Sequence, residues 1–198
     1  MVNRFNQKDG QRPSLAQTRP SIGVVNLILL VILTGAALSR QALAQEPDEA
    51  QVKAAFLFNF VKFVEWPAGA FYDDAAPIVV GVVGDDPSSS AIDQTNNGKS
   101  ANGRRLVIRR FSNANSLTYC HILFIGYSQR NNLQKFLIAA GPGVLTIGES
   151  DRFTREGGII NFTLVDNRVR FEINQAAAEK AGLKISAKLL GLSRPLRK

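Results

Sequence analysis

The sequence is poor in the residues from which most active sites are built. Among 198 residues there is one cysteine, Cys120, and one histidine, His121. A single cysteine closes no internal disulfide, and one Cys with one His falls short of any zinc-ligand spacing. A Ser-His-Asp triad would have to use His121. That residue adjoins Cys120 in an apolar run that reads as a strand, where successive side chains point to opposite faces, so a Cys-His catalytic pair is excluded there. Packing is the role expected of both. Gly81-Val82-Val83-Gly84 follows a strand pattern, but the third glycine of a dinucleotide fingerprint and the Gly-Lys-Ser/Thr of a P-loop are missing. No catalytic residue, cofactor site or metal site is therefore assigned.

Excess charge is also scarce where it would matter. The formal net charge is +8 and the sequence pI about 10.0, a balance that suggests a polyanionic partner until it is divided along the chain. Residues 1–44 carry Arg4, Lys8, Arg12, Arg19 and Arg40 against Asp9 alone, and Arg194, Arg197 and Lys198 end the chain. Between Gln45 and Ser193 there are 16 Lys+Arg and 15 Asp+Glu. That body is nearly neutral, and no nucleic-acid partner is expected.

What is present at the amino terminus is a leader. The basic run ending at Arg19 precedes Ile22 to Leu38, apolar except for Asn26, Thr34 and two glycines, and then Ala42-Leu43-Ala44. These are the charged, apolar and small-x-small regions of a secretory signal peptide, with the cut expected after Ala44. An uncleaved anchor helix is the competing reading. It is disfavoured because Leu29 to Leu33 is the only strongly apolar stretch. The remaining chain is long enough to bury about two thirds of its surface without disulfides.

Asp48 is placed to cap a helix from about Glu49 to Val64, stopped by Trp66-Pro67. On a helical wheel Asn59, Lys62 and Glu65 form one polar stripe, and nearly all the rest is apolar, so most of this helix is expected to be buried. Phe58 falls inside the polar stripe. It reads either as a lone exposed aromatic or as an anchor for a partner surface.

Further on, Pro77 to Val83 reads as a strand buried on both faces. A helix follows over Ser88 to Gln94, then a polar loop from Asn96 to Gly103, and strands at Leu106 to Ile108 and Cys120 to Ile125. A helix over Arg130 to Ala139 and the turn Gly141-Pro142-Gly143 lead into a strand at Val144 to Ile147. The alternating run Ile160 to Val165, the turn Asp166-Asn167 and the run Val169 to Ile173 predict an antiparallel hairpin. A helix over Gln175 to Lys180 ends at Gly182, and Ser186 caps a last helix in which Ile185 can staple Leu190. The pattern predicts an α/β single domain with a mixed, mostly parallel sheet flanked by helices and a C-terminal antiparallel hairpin. Its parts are a signal peptide (1–44), the domain (45–193) and a basic tail (194–198).

Asp85 and Asp86 at one strand end, and Glu149 and Asp151 after another, lie where parallel sheets bind ligands. Clustered acids have the chemistry to hold Mg²⁺ or Ca²⁺. Turn and cap roles are preferred for them, because aspartate favours turns. A receiver-like phosphoacceptor would need an aspartate ending the Cys120 to Ile125 strand, where Gly126-Tyr127 stands instead.

Lys53-Ala54-Ala55-Phe56-Leu57-Phe58-Asn59-Phe60 with Phe63-Val64-Glu65-Trp66-Pro67, then Cys120-His121-Ile122-Leu123-Phe124-Ile125, Val144-Leu145-Thr146-Ile147, Gly157-Gly158-Ile159-Ile160-Asn161-Phe162 and Phe171-Glu172-Ile173-Asn174, resemble in this order the YfiR family of periplasmic proteins. The likeness spans roughly Val52 to Leu192. It implies a non-enzymatic periplasmic repressor that binds the periplasmic sensor region of an inner-membrane diguanylate cyclase and lowers cyclic di-GMP. It also implies an outer-membrane lipoprotein as a second partner, and the chain is expected to be a homodimer. The contact surface is expected at Phe58, Lys62, Glu65 and Trp66, with Gly157 and Gly158 nearby. Redox-sensitive members carry additional cysteines, so an internal thiol switch does not transfer to a chain with Cys120 alone. The alternative is a periplasmic small-ligand sensor feeding a histidine kinase or transporter, with its pocket near Asp85 and Glu149. An unrecognised hydrolase is the third reading.

Overall fold

Apolar runs bounded by turn residues become the strands of a seven-stranded sheet in the computed structural model, which describes residues 48–196. The expected leader over residues 1–44, its cut after Ala44, and the last two residues of the basic tail lie outside the described residues. In chain order the elements are α1 (Glu49–Phe60), β1 (Val64–Glu65), β2 (Ile78–Val83), α2 (Pro87–Asn96), β3 (Ser100–Ala101) and β4 (Arg104–Phe111). They continue with β5 (Ile122–Ile125), α3 (Leu133–Ala140), β6 (Leu145–Gly148), β7 (Ile160–Val165), β8 (Arg168–Ile173), α4 (Gln175–Lys180), β9 (Lys184–Ile185) and α5 (Ala187–Leu192).

The large sheet has the order β3-β4-β2-β5-β6-β7-β8. Its five inner strands are parallel, and β3 and β8 close the two edges antiparallel. This is the α/β architecture expected from the sequence, with the inner strand order of flavodoxin-type sheets. Alternation along each strand divides the core. Ile78, Val80, Val82, Ile122, Phe124, Leu145 and Ile147 face the side covered by α1 and α2. Val79, Val83, Leu123 and Ile125 face the side covered by α3, with Leu133 and Phe136. β2 is buried on both faces, as its β-branched composition demands.

Phe56 and Phe60 of α1 pack on Phe162 and Phe171 of the hairpin. The closest pair is edge-to-face, with Phe60 and Phe171 centroids 5.0 Å apart. Asp166 and Asn167 both adopt left-handed φ values, 50° and 57°, the backbone of a two-residue hairpin turn that matches strand twist.

Several boundaries differ from the sequence reading. The first helix stops at Phe60, tightens into a 3₁₀ turn over Val61–Phe63 and gives way to β1, because Val64 pairs with Ile185 and the Phe63 carbonyl accepts the Ser186 N–H. Asp48 makes no side-chain cap; its carbonyl accepts the Val52 N–H instead. The supposed loop Asn96 to Gly103 contains β3, and β4 runs well beyond Leu106–Ile108, since arginines are tolerated near a solvated sheet edge. The residues before Leu133 form a 3₁₀ turn over Tyr127–Asn132 rather than helix. Cys120 and His121 immediately precede β5.

Candidate functional site

Phe58 is half-buried, packed against the apolar core, and its ring is covered by Lys62 Nζ at 4.6 Å and Lys99 Nζ at 5.4 Å from the centroid. It is therefore not a free-standing aromatic. Lys62 also donates to Asn59 Oδ1 (3.2 Å) and, like Glu65, is exposed. Trp66 is half-buried, and its Nε1–H donates to the His121 carbonyl (3.2 Å). The structure thus places Phe58, Lys62, Glu65 and Trp66 along one continuous stretch from α1 through β1. Gly157 and Gly158 stand ahead of β7, and the groove that Gly157 lines shares Pro142, Lys180 and Ala181 with the one lined by Pro67, next to Trp66. Gly157 is exposed at φ 103° and lines a groove of about 360 Å³ with Leu137, Val144 and Lys180. Gly158 is buried against the Phe153 ring, which a Cβ there would overlap. Among the described residues no ring, hydrogen-bond or ion-pair contact joins these glycines to Phe58.

His121 organises the segment that follows Trp66. Its Nδ1 accepts the Val79 N–H (3.0 Å), which leaves Nε2 to donate to the Ala70 carbonyl (3.0 Å). Both ring nitrogens are thereby assigned in the neutral form. Burial holds the imidazole pKa below its ordinary value, the bond to Ala70 works in the opposite direction, and the Arg104 charge lowers it further. Phe71 stacks on the imidazole, with centroids 4.4 Å apart and planes at 10°. The Arg104 guanidinium also lies over the Phe71 ring, 4.0 Å from its centroid. Cys120 points away from this group into the opposite core, 1% exposed, and burial pushes its thiol up to about 11. The sole thiol is thus protonated and shielded, and the opposed directions expected of Cys120 and His121 are observed.

A second candidate lies at the carboxyl ends of the parallel strands. The chain leaves β4 on one side of β2 and enters β5 on the other, the topological switch at which such sheets bind ligands. A cleft of about 410 Å³ opens there, lined among others by Glu49, Lys53, Asp86, Ser88, Tyr127 and Glu149. Its polar groups are engaged with one another. Asp86 caps α2 by accepting the Ser89 N–H (2.9 Å) and also accepts from Ser128 Oγ (3.2 Å), the cap role the sequence suggested. Glu149 has a different role. Its Oε2 accepts from Lys53 Nζ (2.6 Å) and Ser88 Oγ (2.8 Å), and Oε1 accepts the Tyr127 N–H (3.1 Å).

Lys53 and Glu149 side chains are only 8% and 6% exposed, so this is a buried ion pair, extended by Glu49 at 2.5 Å from Lys53. Burial works to lower the Lys53 pKa, but the hydrogen bonds and charges of Glu149 and Glu49 outweigh it and raise the net value. The pair was missed from sequence. Its one signal is a lysine on the apolar side of an amphipathic helix. Asp85 and Asp151 are exposed, and among the described residues no group of three or more His, Cys, Asp or Glu is arranged to hold a metal ion.

These arrangements define an α/β domain in which the polar groups at the usual ligand-binding end hold secondary-structure elements together. The YfiR/HmsC-like family model matches residues 50–194, and the chain belongs to that family. The family is periplasmic, regulatory rather than catalytic, and associated with the control of diguanylate cyclases through protein–protein contacts. A crystal structure of a conserved domain protein from Vibrio cholerae O1 biovar El Tor is similar in fold, with TM-score 0.51 and 12% identity, over 75% of this chain. The chain spans 60% of that protein's length. No curated protein matches. Among the described residues no helix is long and apolar enough to cross a membrane.

Proposed function

We propose that the chain is an exported repressor, freed from its leader by cleavage after Ala44, that binds the periplasmic sensor region of an inner-membrane diguanylate cyclase and lowers cyclic di-GMP. Membership of the YfiR/HmsC-like family over residues 50–194 is the observation that carries this reading. A second support is the strand-end cleft, where Glu149 is already bound by Lys53, Ser88 and Tyr127. A ligand recognised through Glu149 would have to displace one of them, which disfavours the small-ligand sensor with its pocket there. Repression requires tighter binding to the inactive receptor conformation than to the active one. The contact surface is assigned to Phe58, Lys62, Glu65 and Trp66, with Gly157 and Gly158 nearby. The working form is a homodimer, and an outer-membrane lipoprotein acts as a sequestering partner.

Deleting the gene in a cell that holds an inner-membrane diguanylate cyclase is expected to raise cyclic di-GMP several-fold, with return to the wild-type level on complementation. Unchanged nucleotide levels would refute the repressor role.

A further inference from the structure

Residues 66–77 contain no helix or strand, yet side chains from β4 and from the approach to β5 hold the segment at several points. The Ala70 carbonyl accepts from both Tyr119 Oη (3.0 Å) and His121 Nε2 (3.0 Å). Arg104 Nη1 donates to the Asp73 carbonyl (2.7 Å) and the Ala76 carbonyl (2.8 Å), while its guanidinium covers the Phe71 ring. Between these fixed points stands Tyr72, 98% exposed, its side chain without a partner among the described residues.

We infer that Tyr72 is the anchor through which this chain engages its partner, and that the partner offers an apolar pocket rimmed by lysine or arginine. An aromatic ring carried on a loop already fixed by folding loses little further conformational freedom on binding. Tyrosine is among the residues that dominate interface energetics, because it buries a large apolar ring and keeps a polar tip. Asp73 and Asp74 follow Tyr72 directly in the chain and are exposed, with Asp74 only 3.8 Å from Arg104 yet open to solvent. A pocket that receives Tyr72 therefore meets negative charge at its rim, and complementarity requires cations there. Phe58, by contrast, is already packed on the core and covered by two lysines. The surface is continuous along the chain with Glu65 and Trp66. The inference rests on the regulatory reading above and identifies the occupant as the periplasmic region of the cyclase.

The test measures binding of the exported chain to full-length, detergent-solubilised inner-membrane diguanylate cyclases of the same cell, together with their cyclic di-GMP output. Tyr72→Ala is expected to weaken binding at least about tenfold and to release cyclase activity. Tyr72→Phe should retain most of the affinity, and Asp74→Lys should lose part of it. The thermal midpoint of Tyr72→Ala should stay within about 1 °C of wild type, since surface substitutions that break no contact change stability little. Wild-type binding with Tyr72→Ala within twofold of it overturns the inference alone. Loss of self-association in Tyr72→Ala with cyclase binding intact overturns it too, by assigning the ring to a second copy. Failure of the wild-type chain to bind or inhibit any cyclase removes the regulatory reading itself.

Discussion

His121 shows how one residue can link pH to stability in a chain with no other histidine. In the folded state Nδ1 must remain unprotonated to accept the Val79 N–H, and burial lowers the imidazole pKa. The unfolded chain therefore binds a proton more readily than the folded one. Stability from this group is fully present above the unfolded value of 6.5 and declines as pH falls from there toward the folded value. Urea titrations between pH 7.5 and 5.5 should show unfolding free energy falling toward acid, with a limiting slope of about 1.4 kcal/mol per pH unit. A flat profile would mean that the Val79 bond is not kept in solution. The packing role of His121 was legible in the sequence. Its tautomer and its hold on Ala70 were not, because Val79 and Ala70 lie far from it along the chain.

At the scale of elements, the Lys53–Glu149 pair ties the first turns of α1 to the end of β6. Lys53→Met should destabilise the domain by about 3 kcal/mol, because it leaves the buried Glu149 carboxyl group with only Ser88 and the Tyr127 N–H as partners. Lys53→Met/Glu149→Leu should recover part of that loss, since replacing both members leaves no isolated charge. Denaturant midpoints with unchanged m-values would measure both effects. A loss below about 1 kcal/mol in the single variant would show the pair to be solvated. The hairpin and the buried strand β2 were legible because period-two alternation, a β-branched run and Asp166-Asn167 are local signals. The end of α1 was not legible. Val61 to Val64 continues the apolar pattern of the helix, and only the antiparallel pairing of β1 with β9, some 120 residues further along, turns it into a strand.

For the whole molecule, the division of charge makes a prediction about its final form. Residues 1–44 account for half of the net charge, so the proposed cleavage would leave a nearly neutral body with a basic C-terminus. Fractionation should find the protein in the periplasm with Gln45 at its amino terminus, as read by terminal sequencing or intact mass. Recovery from the membrane fraction with the leader attached would contradict both the cut and the proposed mode of action.

Class of fold, mostly parallel order, hairpin and family were determined by the sequence itself, since each follows from local periodicity, turn chemistry or an ordered set of short motifs. Which charged and aromatic side chains are exposed was decided only by the tertiary structure. Phe58 reads as exposed but is packed, Lys53 carries no role in the sequence pattern yet is buried in an ion pair, and Tyr72 passes unnoticed yet stands free. The reason is physical: exposure depends on which distant segments close over a residue, and those contacts leave no periodic trace along the chain.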